Sequence, residues 1–193
     1  MFIKNWKREI FSIPNLLSLF RLILIPVYAA LYLNATEDYQ FFVAGTILTV
    51  SCLTDMIDGR VARKFNMITT LGKVLDPLAD KLTQFTLTIC LSLKYPALYP
   101  VLGLFVIKEL FQLSLGIFFL RKGKMLTGAL MPGKICTTVL FISLIALVLF
   151  PNMSSIAVNL ISVTDTLFLA IAFSSYIAVY LGRNTKLKDI GAE

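Results

Sequence analysis

The chain has 193 residues, of which 58% are hydrophobic and only 15% charged, and its mean hydropathy is +0.83. Soluble domains run at about 45–50% apolar and about 25% charged residues. This composition therefore excludes an ordinary cytosolic enzyme, a disordered chain and a small disulfide scaffold, and it describes an integral membrane protein. With no histidine in the chain, Ser-His-Asp, Cys-His and His-metal chemistries are removed together, and acid–base work falls to carboxylates, lysine, tyrosine or water.

In chain order, Met1–Ile13 carries Lys4, Lys7, Arg8 and Glu9 together with Trp6 and phenylalanines. It reads as a short N-terminal interfacial helix. The apolar stretch after it is long and lacks a small-residue cleavage pattern, so no cleavable signal is expected. A transmembrane helix needs about 20 mostly apolar residues, and the sequence predicts six: Asn15–Leu33, Phe41–Ala62, Leu71–Leu93, Leu98–Leu120, Gly133–Phe150 and Ile156–Leu181. The loops between them are Asn34–Tyr39, Lys94–Pro96, Arg121–Pro132 and Pro151–Ser155, and the region Asp55–Asp80 is too polar to face lipid throughout.

The Lys and Arg residues gather in Met1–Ile13, Arg60–Lys73, Arg121–Lys134 and Arg183–Lys188, and the alternate loops are poor in them. With six spans all the basic segments fall on one side, which the positive-inside bias makes cytoplasmic, with both termini inside. The net charge of +7 is thereby accounted for without a nucleic-acid partner. The expected architecture is all-α, a single membrane domain over residues 1–193, with no internal repeat. Cys52, Cys90 and Cys136 sit singly inside apolar runs and read as small buried hydrophobes.

Ionisable groups within a membrane segment default to a functional hypothesis because they are costly there. Asp55 and Asp58 are three residues apart and Asp76 and Asp80 four apart, spacings that put each pair on one helix face. Four converging carboxylates repel one another unless cations lie between them. Hard divalent ions with oxygen ligands, Mg²⁺ or Mn²⁺ and two of them, satisfy that need, whereas zinc would want nitrogen or sulfur donors. The bland alternative pairs these aspartates with Arg60, Arg63, Lys64, Lys73 and Lys81 in a loop.

The residues Asp55, Asp58, Gly59, Ala62, Arg63, Gly72, Asp76 and Asp80 fit D-x2-D-G-x2-A-R-x8-G-x3-D-x3-D at every fixed position. That pattern resembles the signature of the CDP-alcohol phosphotransferases. Ile13-Pro14-Asn15 with Ser18 and Arg21 also resembles the opening of the first helix in bacterial phosphatidyl-transferring members, and six helices with cytoplasmic termini match the family architecture. The resemblance implies transfer of a phosphatidyl group from CDP-diacylglycerol to an alcohol with release of CMP. It further implies Asp55, Asp58, Asp76 and Asp80 as metal ligands, with Asp80 also the general base on the acceptor hydroxyl. Asn15, Ser18, Gly59, Ala62, Arg63 and Gly72 would meet the donor nucleotide. Guanidinium suits a donor phosphate, and small residues allow close backbone approach, although small residues also serve helix packing in membranes and Asn15 could be a helix cap. Arg21 lies well inside its span and should face the polar cavity.

For the acceptor, the resemblance is greatest to the bacterial phosphatidylglycerophosphate synthase branch. There an Arg-Glu pair in the fourth helix and a Gly-Lys opening the fifth hold the phosphate of glycerol 3-phosphate. Lys108-Glu109 and Gly133-Lys134 resemble these two, so Lys108 and Lys134 are the expected acceptor contacts. Lys108 could instead be an internal ion pair with Asp165 or the aspartate cluster. Lysine keeps the charge but loses the bidentate fork, and Gln112 and Gly116 occupy the region where that branch carries a further arginine. Glycerol 3-phosphate is therefore the first acceptor, phosphatidylglycerol (a cardiolipin synthase) the second, and serine or inositol phosphate the third. The implied partners are CDP-diacylglycerol, a small phosphorylated alcohol, membrane lipid and a second copy in a homodimer. The implied location is the cytoplasmic membrane, multi-pass, with the active site facing the cytoplasm. A cation transporter would spread its acidic residues along a path near the midplane; here they gather beside the basic segment Arg60–Lys73. A purely structural membrane scaffold has no need of the cluster.

Overall fold

Residues 13–64, 72–121, 124–126, 130–180 and 187–189 are described by the computed structural model of the chain. Among the described residues there are six long helices: α1 (Ile13–Leu33), α2 (Asp38–Lys64), α3 (Gly72–Lys94), α4 (Tyr99–Arg121), α5 (Met131–Leu149) and α6 (Ser155–Ala178), with a short 3₁₀ turn at Pro96–Leu98 leading into α4. The interfacial helix expected at the N-terminus falls mostly on residues 1–12, outside the described residues.

The helices are where hydropathy places them, because each apolar run ends on residues that satisfy or terminate a helix. At the end of α1 the Asn34 amide bonds to the Ala30 carbonyl with both its backbone N–H (3.2 Å) and its side chain (2.7 Å). At the start of α2 the Gln40 side-chain oxygen accepts from the Thr36 and Glu37 N–H groups, at 2.6 and 3.2 Å. This is the return arm of a capping box, filling donors a first turn leaves open. Ser154 caps α6, its hydroxyl accepting from Ala157 N–H at 3.3 Å.

Among the described residues four segments are long and apolar enough to cross a membrane: Asn15–Leu33, Pro96–Phe119, Met131–Leu149 and Ser155–Ala178. The other two expected spans are helical, α2 with 27 residues and α3 with 23, but the aspartate motif and its basic neighbours break their apolar run. At about 1.5 Å per residue α2 reaches about 40 Å, more than the ~30 Å hydrocarbon core. Its polar end therefore need not displace apolar length. The chain is a predominantly helical, multi-pass membrane protein in which several threonine hydroxyls bond back to their own helix, as Thr83 does to the Ala79 carbonyl at 2.8 Å.

Two compact units divide the chain, Met1–Cys90 with Val148–Pro151 and Leu91–Leu147 with Asn152–Glu193. In the first, α1 packs along α2. Tyr28, Tyr32 and Phe41 form a chain of rings with centroids 5.6 and 5.2 Å apart. Gly45 admits Val148 and Leu149, whose side chains would stand 3.3 and 3.2 Å from a Cβ there. In the second, α4 and α6 run parallel: Ser162 Oγ donates to the Ala97 carbonyl at 2.5 Å, Phe111 meets Phe173 at 5.1 Å and Phe119 stacks on Tyr180 at 5.4 Å. Ile156, Leu160, Val163, Leu167 and Ile171 of α6 are all more than half exposed, the apolar stripe that lipid would cover.

One feature was not predicted. The segments Lys124–Leu126 (β1) and Leu187–Asp189 (β2) pair antiparallel, with Met125 opposite Lys188. Both lie in stretches the sequence marks only as basic loops, since three residues are too few to show a strand period. Cys90 and Cys136 are buried, as expected; the Cys52 side chain lies outside the described residues.

Candidate active site

Three positions of α1 recur at a spacing of three residues, Asn15, Ser18 and Arg21, and all are buried, at 0, 0 and 2% exposure. Burying a serine and an arginine in an apolar helix requires partners, and α3 provides them. Ser18 Oγ donates to Asp76 Oδ1 at 2.5 Å, and Arg21 Nη1 donates to Asp80 Oδ1 at 2.7 Å. A step of three residues on α1 is matched by a step of four on α3, each about one helical turn, so the two contacts form successive rungs between these helices. Arg21 is buried to 3% while the Asp80 side chain is 54% exposed. Asp80 thus holds a fixed cation on one oxygen and still opens to solvent. Gly72 is buried as the first residue of α3.

Beyond the rungs, Leu24 and Tyr28 of α1, Leu48 and Ser51 of α2 and Thr83 of α3 line a small cleft. The Tyr28 hydroxyl is buried there without a hydrogen-bond partner among the described residues. Ser51 precedes Asp55 by four residues, one turn of α2. Asp55, Asp58, Gly59, Ala62 and Arg63 all lie on α2, and their side chains are outside the described residues. The described part of the aspartate cluster therefore consists of Asp76 and Asp80. Among the described residues no set of three acidic, cysteine or histidine side chains could hold a metal, the α2 aspartates not being among them. The donors present are carboxylate and hydroxyl oxygens, which fit a hard divalent cation.

In the second unit Lys108 of α4 is buried to 2%. Its Nζ lies 2.5 Å from Glu109 Oε1 and 5.9 Å from the centre of the Phe105 ring. The alternative pairing of Lys108 with Asp165 is not what forms. Asp165, 1% exposed, accepts from Ser143 Oγ at 2.9 Å on one oxygen, and its other oxygen has no partner among the described residues. Lys134 is the fourth residue of α5 and is exposed. Where an arginine was noted as missing, Gln112 buries a side-chain oxygen without a partner among the described residues, and a Cβ at Gly116 would meet nothing within 4 Å.

The sequence places Arg21 facing a polar cavity and points to no partner for it. Its direct pairing with Asp80 is the addition the structure makes, and the Asn15-Ser18-Arg21 spacing was the signal that could have shown it.

The model of the CDP-alcohol phosphatidyltransferase family matches residues 11–179. The chain is 35% identical over 161 residues to the CDP-diacylglycerol–glycerol-3-phosphate 3-phosphatidyltransferase of Aquifex aeolicus, covering 83% of this chain and 82% of that one. It is 34% identical over 146 residues to the Escherichia coli K12 protein of the same name, covering 74% and 79%. A cardiolipin synthase (CMP-forming)/mitochondrial hydrolase fusion protein of Schizosaccharomyces pombe is 43% identical over 88 residues, 46% of this chain and 14% of that one. With matches of this extent, and a buried α1 face bonded to the two aspartates that end the signature, the chain belongs to the CDP-alcohol phosphatidyltransferase family.

Proposed function

We propose that this chain transfers the phosphatidyl group of CDP-diacylglycerol to glycerol 3-phosphate, releasing CMP and forming phosphatidylglycerophosphate for phospholipid synthesis. The observation that carries the reading is the likeness, over about four-fifths of both chains, to a relative bearing that activity in its name. The family acts on CDP-diacylglycerol and an alcohol acceptor in membrane lipid, and it generally uses a divalent metal.

Asp55, Asp58, Asp76 and Asp80 would hold two Mg²⁺ or Mn²⁺ ions. Bound there, the ions supply neutralisation of the donor pyrophosphate and polarisation of the reacting phosphorus. Arg63 contacts a donor phosphate, and Gly59, Ala62 and Gly72 let the nucleotide approach the backbone. Asn15 and Ser18 complete the donor side, with Ser18 also fixing Asp76. Arg21 holds one oxygen of Asp80, which leaves the carboxylate oriented for the acceptor. Asp80 takes the proton of the acceptor hydroxyl as its oxygen bonds to the phosphorus bearing the diacylglycerol. The bond from that phosphorus to the bridging oxygen breaks, and CMP leaves with the electron pair. Positioning and charge stabilisation carry most of such a barrier. Lys108 and Lys134 bind the phosphate of glycerol 3-phosphate, each through a charge-assisted contact.

The same reading takes residues 1–193 as one domain with six spans, an interfacial N-terminal helix, both termini cytoplasmic and the active site on that side of the cell membrane, working as a homodimer. The family match running from residue 11 to 179 supports one domain, and the alternation of basic segments supports the topology.

A second acceptor, phosphatidylglycerol, is favoured by the fission yeast relative and by Gln112 and Gly116, which leave an uncharged opening. An acceptor screen decides: purified protein, CDP-diacylglycerol, Mg²⁺ or Mn²⁺, and each alcohol in turn, with CMP release measured. CMP release with glycerol 3-phosphate is expected; release with phosphatidylglycerol alone would overturn the first reading in favour of the second.

A further inference from the structure

Gly133 is the third residue of α5. A Cβ on it would lie 2.7 Å from Tyr176 Oη, 3.1 Å from Cε2 and 3.2 Å from Cζ. The phenol of α6 therefore lies against the bare backbone of the first turn of α5, at a distance no side chain there could share. Tyr176 is 3% exposed and sits in a cluster with Leu130, Val179 and Tyr180. It cannot swing aside without opening that cluster, because close-packed interiors yield little to added volume. Leu130 and Val179 are 4% and 2% exposed, and the Leu130 carbonyl accepts from Lys134 N–H at 3.1 Å. The tyrosine thus packs against Leu130 and Gly133, in the turn that leads into Lys134, and the Lys134 side chain itself stays exposed. What glycine provides at 133 is space.

We propose that Tyr176 is a positioning residue for acceptor recognition: pressed against Gly133, it sets the direction of the opening turn of α5 and so the place of the Lys134 ammonium group. The proposal rests on the reading of Lys134 as a contact to the acceptor phosphate. Nothing in it touches the donor, so its signature is a change in the KM for glycerol 3-phosphate with the KM for CDP-diacylglycerol held.

Four variants of the full-length protein in detergent test it, each checked for monodispersity and assayed by CMP release. Gly133→Ala should raise the KM for glycerol 3-phosphate by about fivefold or more, as expected for displacing one charge-assisted contact. Gly133→Ala combined with Tyr176→Phe removes the 2.7 Å contact and leaves only the ring carbons at 3.1 and 3.2 Å, and should recover most of the loss. Tyr176→Phe alone keeps the ring and should stay near wild type. Tyr176→Leu removes the ring and should repeat the acceptor defect, which keeps the test open if Gly133→Ala does not fold. An unchanged acceptor KM in Tyr176→Leu, or equal rises in both KM values, overturns the proposal. Lys134→Gln run alongside separates the failures. If it raises the acceptor KM and the Tyr176 and Gly133 variants do not, positioning alone is wrong. If Lys134→Gln is itself silent, the Lys134 reading fails and the proposal falls with it.

Discussion

The helices α1 and α3 place their polar groups opposite one another, whereas α4, α5 and α6 bury theirs nearly one at a time. Between α1 and α3, Ser18 meets Asp76 and Arg21 meets Asp80, two successive contacts in which one helix supplies the donor and the other the carboxylate. In the second unit Lys108 turns to its own chain neighbour Glu109, and Asp165 has Ser143 on one oxygen and no partner on the other among the described residues. Paired groups cost little to keep in an apolar setting and tolerate few changes. Isolated ones cost more and can be exchanged singly. On the proposed reading the first arrangement serves the donor and the second the acceptor.

The comparison is broken most severely by removing metal. If the aspartates of α2 and α3 form one hard-cation site, excess EDTA stops CMP release entirely and Mg²⁺ or Mn²⁺ restores it. Full turnover in a demonstrably metal-free preparation contradicts that reading.

Next in size, Asp80→Asn should cut kcat by at least about 10²-fold, the low end for losing a general base, while donor KM changes little. Asp55→Asn should weaken donor binding as well as rate. Equal loss of donor affinity in both variants would make Asp80 a ligand only.

On the other side of the comparison, Lys108→Gln and Lys134→Gln should each raise the KM for glycerol 3-phosphate about tenfold or more, one charge-assisted contact. Lys108 should show the larger effect, because it is buried whereas Lys134 is exposed, so its charge is screened less by water. The KM for CDP-diacylglycerol should hold in both. A silent Lys134→Gln removes that residue from the acceptor site.

The smallest effect is expected at the isolated pair. Ser143→Ala deletes one interhelical hydrogen bond to Asp165, a kind of contact worth about 0.6 kcal/mol on average in a membrane protein. A small drop in thermal stability in detergent, with both KM values unchanged, is the expected result. A loss of activity would give Asp165 a role in the reaction.

Much of this was legible in the chain itself. The hydropathy pattern located all six helices with ends within about three residues, since apolar length and terminating loops are local properties. The aspartate signature and the spacing of Asn15, Ser18 and Arg21 were visible for the same reason. The strands β1 and β2 were not visible, because pairing between residues 124–126 and 187–189 is a long-range event with no local period.

What the sequence determined by itself is therefore the membrane class, the helices, the family and the identity of the polar residues. What only tertiary structure decided is which of those residues meet. Arg21 could have served a phosphate, a carboxylate or a backbone carbonyl, and its partner is Asp80. Lys108 had Asp165 open to it by sequence and pairs instead with Glu109. Gly133 reads in sequence only as part of the Gly-Lys that opens the fifth helix, until the phenol of Tyr176 is found lying against it. The physical reason is common to all three. Composition and periodicity follow from each residue's own preference for water, lipid or helix, while the choice of partner depends on packing between helices distant in the chain, which no local pattern records.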